Sequence, residues 1–186
     1  MTVEDAIARR RSVRSYSAAS MSLEELSRLL RCSAGVTDER HSLRAAPSAG
    51  ATYPIEVYAA AARVEGLAMG IYRYLVSPDE LATVLEGDYR RELRGAALGQ
   101  RMVADANAVL ILSAVFDRTA GRYTDRAMRY IFMEAGHIAQ NACLVATSMG
   151  LGTCAIGAFE DEGVNRVLGL DGKNESALYL VAVGKV

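Results

Sequence analysis

The sequence predicts an α+β layered domain. Segments with helical periodicity alternate with segments of strand length, an order that favours packed layers over a helical bundle. Residues Ala108–Val115 form a nearly continuous apolar run, typical of a central strand covered on both faces. Residues 125–149 form the longest helical pattern, which is too apolar for a helix solvated on all sides.

Composition limits the class of protein. A chain of 186 residues fits one domain with an ordinary apolar core. The balance of 21 basic and 22 acidic residues argues against a general nucleic-acid binder. Three cysteines lie in no C-x-x-C or metal spacing, and with two histidines they give little support to a zinc site or a Ser-His-Asp triad.

The same residues indicate where the protein works. The first residues, MTVEDAIARRRSVR, lack the apolar core of a signal peptide, and the odd cysteine count suits a reducing compartment, so we expect a cytoplasmic protein. Residues 131–151 are strongly apolar, but Glu134, His137, Gln140 and Asn141 would be costly in a bilayer. We therefore expect no membrane span.

Capping residues predict the first two helices. Thr2 caps a helix that reaches about Arg11, where three arginines suit its negative end. Ser22 and Glu25 have capping-box spacing, and leucines supply the apolar face of a helix that ends near Ala34.

The middle of the chain predicts a loop, a hairpin and two short helices. Residues 35–54 have no sustained period and suit a loop, followed by strands at 55–61 and 71–74. Ser77 and Pro78 resemble the start of a helix over 77–85, and Asp88 begins another over 88–98. The chain closes with a strand-like stretch after Gly150, a helix near 161–168 and a strand at 177–183.

Three separated segments carry the candidate chemistry. The basic segment, residues 9–14 (RRRSVR), offers guanidinium groups and a hydroxyl to a phosphate, although such residues also serve as partners for helix-terminal carbonyls. The proline loop, residues 44–54 (RAAPSAGATYP), has small residues that let backbone approach a flat ligand, or is an ordinary connection.

The third is the glycine segment, residues 150–161 (GLGTCAIGAFED). Its backbone N–H groups are suited to bind a flat ring, although the same pattern also suits a helix stop and a tight turn. It is not the dinucleotide fingerprint, because no strand precedes it and no helix opens within it.

Together, the three segments resemble the nitroreductase-like flavoprotein family in order and separation over nearly the whole chain. The SagB-type dehydrogenase branch is most similar, through PSAGATYPIEVY, GIYRY, EAGHIAQN and AIGAFED. The resemblance implies one nitroreductase-like domain over residues 1–186, with a mixed, mainly antiparallel sheet flanked by helices. It also implies a homodimer with the long buried helix at its interface and an FMN in each of two interface sites.

The resemblance also implies the roles of individual residues. Arg10, Ser12 and Arg11 would hold the FMN phosphate, Arg14 would reach the ribityl chain or ring, and Lys185 would complete the phosphate site. The partner's copy of the proline loop would line the ring through Pro47, Ser48, Ala49 and Gly50. Gln140 of the long helix and Ala155 and Ile156 of the glycine segment would complete the lining. The N–H groups of Gly157 and Ala158 would meet its N5 and O4 edge.

The implied reaction takes hydride from NADH or NADPH and passes the electrons to a flat small-molecule acceptor, such as a nitroaromatic or a quinone. Two alternatives stay open: azoline dehydrogenation of modified peptides, and flavin binding without turnover. A Lys-Tyr pair is associated with the azoline activity, whereas the comparable place here carries Arg122 and Tyr123. We interpret His137 as a buried or interface residue rather than as a proton donor.

Overall fold

The computed structural model describes all residues from Met1 to Val186. Its helices and strands lie in the following order: α1 (Val3–Arg9), β1 (Met21–Ser22), α2 (Leu23–Ala34), β2 (Val36–Asp38), β3 (Leu43–Arg44), β4 (Ile55–Ala61), β5 (Val64–Glu65), β6 (Gly70–Leu75), β7 (Glu80–Glu86), α3 (Arg90–Ala96), α4 (Arg101–Asp105), β8 (Ala108–Val115), α5 (Asp117–Tyr123), α6 (Ala127–Ser148), β9 (Leu151–Ile156), α7 (Asp161–Leu168) and β10 (Glu175–Lys185). Two 3-10 turns lie at Ala49–Ala51 and Thr124–Arg126.

One six-stranded sheet organises the fold. Its order is β7-β6-β4-β8-β10-β9, and every neighbouring pair is antiparallel. Strand β8 lies near its centre, and alternate β8 side chains enter two apolar clusters. One cluster includes residues of α2 and α6, and the other includes residues of α3, α4 and α7. The predicted α+β class and central strand are therefore confirmed.

The long helix α6 has two different faces. Ile131, Ala135 and Ile138 are buried in the core, whereas Met128, Phe132 and Met133 have exposed fractions of 42%, 55% and 53%. The expectation of a helix that is not solvated on all sides is confirmed for the face that packs in the core, and burial of the other face at a dimer interface stays a prediction. His137 is likewise exposed. No helix of the chain has the length and apolarity to span a membrane.

The helix expected over residues 77–85 is also wrong. Residues Glu80–Glu86 form β7, which pairs with β6 as a hairpin. Ser77, Pro78 and Asp79 form the connection, and Asp79 has φ of +69°. Serine and proline favour turns for the same reason that they favour helix starts, namely side-chain capping and a fixed φ, so this signal does not separate the two. The short helices α4 and α5 carried no recognised sequence signal.

The edge strand β9 is covered by the segment that leaves α1. Ser12 forms a parallel bridge with Thr153, and the Val13 N–H donates to the Thr153 carbonyl oxygen at 2.8 Å. Gly152 permits this approach, because a Cβ there would lie 2.5 Å from Val186 Cγ1 and 2.8 Å from Val13 Cγ1. The basic segment is therefore fixed along the strand that begins the glycine segment.

We expect Gly152→Ala to lower the free energy of unfolding by about 1–3 kcal/mol, because the added methyl group overpacks this contact. The matched control is Gly95→Ala in α3, where nothing lies within 4 Å of the added Cβ. That change should be neutral or stabilising by up to ~1 kcal/mol. Urea unfolding of both variants tests the contact, and equal effects would contradict it.

Candidate cofactor site

The basic segment presents arginines that no carboxylate neutralises. None of its four arginines forms an ion pair with any residue of the chain. Arg11 Nη1 donates to the Ala8 and Arg10 carbonyl oxygens at 3.0 and 2.8 Å, and Arg14 Nη1 donates to the Ser12 carbonyl oxygen at 3.4 Å. The helix-terminal interpretation therefore describes Arg11, whose contacts lie at the end of α1. Ser12 is exposed between Arg11 and Arg14.

Lys185 lies at the end of β10, near the basic segment in space. Its backbone oxygen accepts from the Ser17 N–H at 2.8 Å, but its Nζ donates to Glu25 Oε1 at 2.6 Å. Partial burial alone would raise the pKa of Glu25, and the hydrogen bonds from Lys185 and Ser22 outweigh it and lower that pKa. A phosphate would therefore compete with Glu25 for this ammonium.

The glycine segment continues along β9 from the same contact. Ala155 and Ile156 pair with Val181 and Leu180 of β10. Gly157 and Ala158 lie just beyond the strand end and are exposed. The Ala158 carbonyl oxygen accepts from Gln100 Nε2 at 2.8 Å, which fixes the turn. The structure thus brings the basic and glycine segments together along one edge strand.

The proline loop is anchored elsewhere, on α5. Arg122 Nη1 donates to the Gly50 carbonyl oxygen and Arg118 Nη1 donates to the Tyr53 carbonyl oxygen, each at 3.0 Å. Gly50, Ala51 and Tyr53 have φ of 58°, 53° and 44°. Such left-handed backbone persists only where the surroundings enforce it, and it is frequent at ligand sites. The close packing leaves no room for a side chain at position 50, because a Cβ there would lie 2.5 Å from Tyr123 Oη.

A buried carboxylate lies beneath this loop. Glu134, on α6, is 3% exposed. Burial raises its pKa, and hydrogen bonding by Ser48 and the charge of Arg44 oppose that shift without cancelling it. The sequence pattern marked Glu134 only as a polar interruption of an apolar helix. Its position under Ser48 depends on packing between distant segments, as does the anchoring by Arg118, which the sequence did not suggest.

The two parts of the predicted site lie at different positions along α6. Burial raises the pKa of the Cys143 thiol, and hydrogen bonding with Thr153 and then the charge of Arg10 partly offset this. The proline loop lies beside Glu134, whose carboxyl hydrogen-bonds with Ser48. Cys143 and Glu134 are nine helical residues apart, which corresponds to about 13 Å at 1.5 Å per residue. Gln140, between them, is exposed.

A cavity of about 730 Å³ lies beside the proline loop rather than at the basic segment. Arg44, Ala51 and Tyr53 line it, but no residue of the basic or glycine segment does.

Comparison with known proteins identifies the family. The Nitroreductase family model matches residues 7–185. The chain belongs to the nitroreductase family. A nitroreductase-family homologue from Methanocaldococcus jannaschii is 43% identical over 183 residues, covering 98% of this chain and 90% of the homologue. A nitroreductase-family crystal structure from Anabaena variabilis has a TM-score of 0.85 at 33% identity, covering 98% of this chain and 38% of that one.

A relative of the SagB type is also present among these matches. The microcin-processing protein McbC of Escherichia coli is 27% identical over 171 residues, covering 89% of this chain and 63% of McbC. A chain of the E. coli McbBCD microcin synthetase complex, solved with a truncated precursor bound, has a TM-score of 0.85 at 25% identity and covers all of this chain. The resemblance and the nitroreductase-like fold are thereby confirmed.

The raised pKa of Glu134 predicts a pH effect on stability. A raised folded-state pKa means that the folded protein favours the protonated acid. The protonated acid therefore contributes to the free energy of unfolding below pH 4.5, the ordinary pKa of a glutamic acid, and this contribution is lost as pH rises through the folded-state pKa. We expect Glu134→Gln to flatten the decline of unfolding free energy over that range. Exposed Glu92→Gln is the control, and identical wild-type and Glu134→Gln profiles in urea titrations would contradict the assignment.

Proposed function

We propose that the protein is an FMN-dependent oxidoreductase that passes hydride from NADH or NADPH to a flat organic acceptor, such as a nitroaromatic or a quinone. One observation carries the proposal: the basic segment, whose arginines have no carboxylate partners, is held through residues 12–13 on the same edge strand whose end exposes Gly157 and Ala158. This arrangement suits a ligand that has an anionic group at one end and a flat ring at the other.

The residues along β9 fit FMN. Arg10, Ser12 and Arg14 would bind the phosphate and ribityl groups through charge-assisted hydrogen bonds. Ala155 and Ile156 would pack on the ring, and the exposed N–H groups beyond them would orient its N5 and O4 edge. When bound, FMN supplies the two-electron chemistry. The chain then contributes position, orientation and exclusion of water, and no side-chain nucleophile is required.

We further propose that the working unit is a homodimer. The exposed face of α6, with Met128, Phe132 and Met133, forms an apolar surface of the kind that subunit interfaces bury. Pairing two such helices would bring the partner's Pro47, Ser48, Ala49 and Gly50 to the ring and would cover Gln140 and His137. The distance along α6 between the basic segment and the proline loop supports this two-subunit site.

The azoline alternative is favoured by the similarity to McbC and opposed by Arg122. The Arg122 guanidinium is held on the Gly50 carbonyl oxygen at 3.0 Å, and a guanidinium is poorly suited to replace an amine that shuttles a proton. We therefore rank this activity second. Flavin binding without turnover ranks third.

We expect Arg10→Ala and Ser12→Ala to weaken FMN binding while the fold is kept. Loss of one charge-assisted hydrogen bond costs about 1.5–3 kcal/mol, or roughly tenfold or more in Kd. Arg9→Ala is the matched control, because Arg9 is an exposed neighbour to which we assign no contact. Fluorescence titration of FMN measures all three variants, and unchanged affinity in both test variants would reject the phosphate assignment.

The reductase half-reaction predicts rapid bleaching of the flavin absorbance when NADH or NADPH is added without oxygen. Stopped-flow spectra of the FMN-loaded protein measure it, with protein-free FMN as the control. Bleaching no faster than in the control would contradict the reductase proposal and favour one of the two alternatives. Oxidation of a thiazoline peptide with reoxidation of the flavin by oxygen would then separate them.

A further inference from the structure

The large cavity beside the proline loop has the dimensions of a small-molecule site. Its volume of about 730 Å³ lies within the range of roughly 300–1,000 Å³ that such sites occupy. Its walls come from α2, the β2–β3 hairpin, the proline loop and the β6–β7 turn. A second cavity of about 360 Å³ adjoins it and shares Arg44, Tyr53 and Tyr74.

Arg44 is the unusual group in its wall. The guanidinium is half buried, yet it forms no ion pair and no side-chain hydrogen bond, since only its backbone N–H has a partner. The neighbouring Arg118 binds Glu56 at 2.6 Å, and Arg73 binds the same carboxylate at 3.0 Å. Burial lowers the pKa of Arg44, although the charges of Glu56 and Glu134 act against that shift. None of its side-chain nitrogens is fully buried, so the guanidinium remains accessible to a ligand in the cavity.

The orientation of Arg44 selects the shape of that partner. Its guanidinium carbon lies 4.4 Å from the centroid of the Tyr53 ring, so one face is covered. The Tyr53 ring is itself held, because its hydroxyl accepts from the Arg44 N–H at 3.2 Å and its own N–H donates to Ser48 Oγ at 2.9 Å. The in-plane N–H fork is then left for the cavity, a geometry that matches a carboxylate through two parallel hydrogen bonds.

The other charges of the cavity favour a single negative charge on the ligand. Arg31 lies 3.7 Å from Asp79, and Asp79 also accepts from the Tyr74 hydroxyl at 2.6 Å. Glu39 adds a second acid to the lining. Apart from Arg44, the charges of Arg31, Glu39 and Asp79 sum to −1, and Arg44 brings the lining to neutrality. A dianionic phosphate would therefore meet more repulsion than a monocarboxylate that pairs with Arg44.

We propose that this cavity binds a flat organic acid, with its carboxylate on the Arg44 guanidinium. The inference rests on the proposed function in one respect, namely that Pro47–Gly50 lie at the flavin ring. Ala51 and Tyr53 of the cavity wall follow these residues within three positions of the chain. The rest of the ligand would therefore extend toward the ring as the electron acceptor. An aromatic carboxylic acid with a reducible group is then the preferred acceptor class.

Isothermal titration calorimetry with 4-nitrobenzoate and its neutral isostere 4-nitrobenzamide tests the inference on the FMN-loaded protein without a reductant. We expect the wild type to prefer the carboxylate by about tenfold or more, the worth of a charge-assisted contact. Arg44→Met keeps the stem against Tyr53 and should abolish the preference. Arg31→Met removes another cation of the same cavity, and this variant should keep the wild-type preference for the carboxylate within about threefold.

Equal wild-type affinities, or a preference that survives in Arg44→Met, would overturn the inference, as would an equal loss in Arg31→Met. If Arg44→Met does not fold, Arg44→Lys replaces it: loss of the fork should reduce the preference at least threefold, and an unchanged preference would overturn the inference. Because binding is measured without turnover, a protein that binds the acid but is not reduced by NAD(P)H would reject the reductase proposal alone.

Discussion

The contact between residues 12–13 and the edge strand β9 is the constraint on which the candidate site depends. It covers an otherwise open strand edge and requires a glycine at position 152, where any Cβ would meet Val13 and Val186. It also holds the residues that follow α1 against the strand whose end exposes Gly157 and Ala158. In the proposed site, the cations and the strand end would therefore be placed by backbone pairing rather than by a closed cavity.

Helix α6 connects this edge with the rest of the molecule. Its buried face fills the core beside the sheet, and its Glu134 and Cys143 lie about 13 Å apart along the helix axis. The proline loop is anchored on α5 through Arg118 and Arg122 and lies over the buried Glu134. In the proposed dimer, pairing through the exposed face of α6 would bring the basic segment of one subunit to the proline loop of the other.

The sequence was informative where a local rule decides the structure. A capping residue at Thr2 and capping-box spacing at Ser22 predicted α1 and α2, and a nearly continuous apolar run predicted β8, because caps and burial act over a few neighbouring residues. It failed at β7, where a serine and a proline suit a turn as well as a helix. It located the basic, proline and glycine segments, but not Glu134 beneath Ser48, Glu25 on Lys185 or the free fork of Arg44. Those contacts join residues far apart in sequence, so they depend on the assembled fold.

The central claim is that each flavin site combines the basic segment of one subunit with the proline loop of the other. The most direct test purifies a mixed dimer of Arg10→Ala and Ala49→Trp subunits through two different tags and measures bound FMN. If the sites are shared between subunits, one site of the mixed dimer carries both changes and the other site carries none. The account therefore predicts that the mixed dimer holds about half of the wild-type FMN, whereas either parent variant holds almost none. A mixed dimer as empty as its parents would contradict it, because each site would then lie within a single chain.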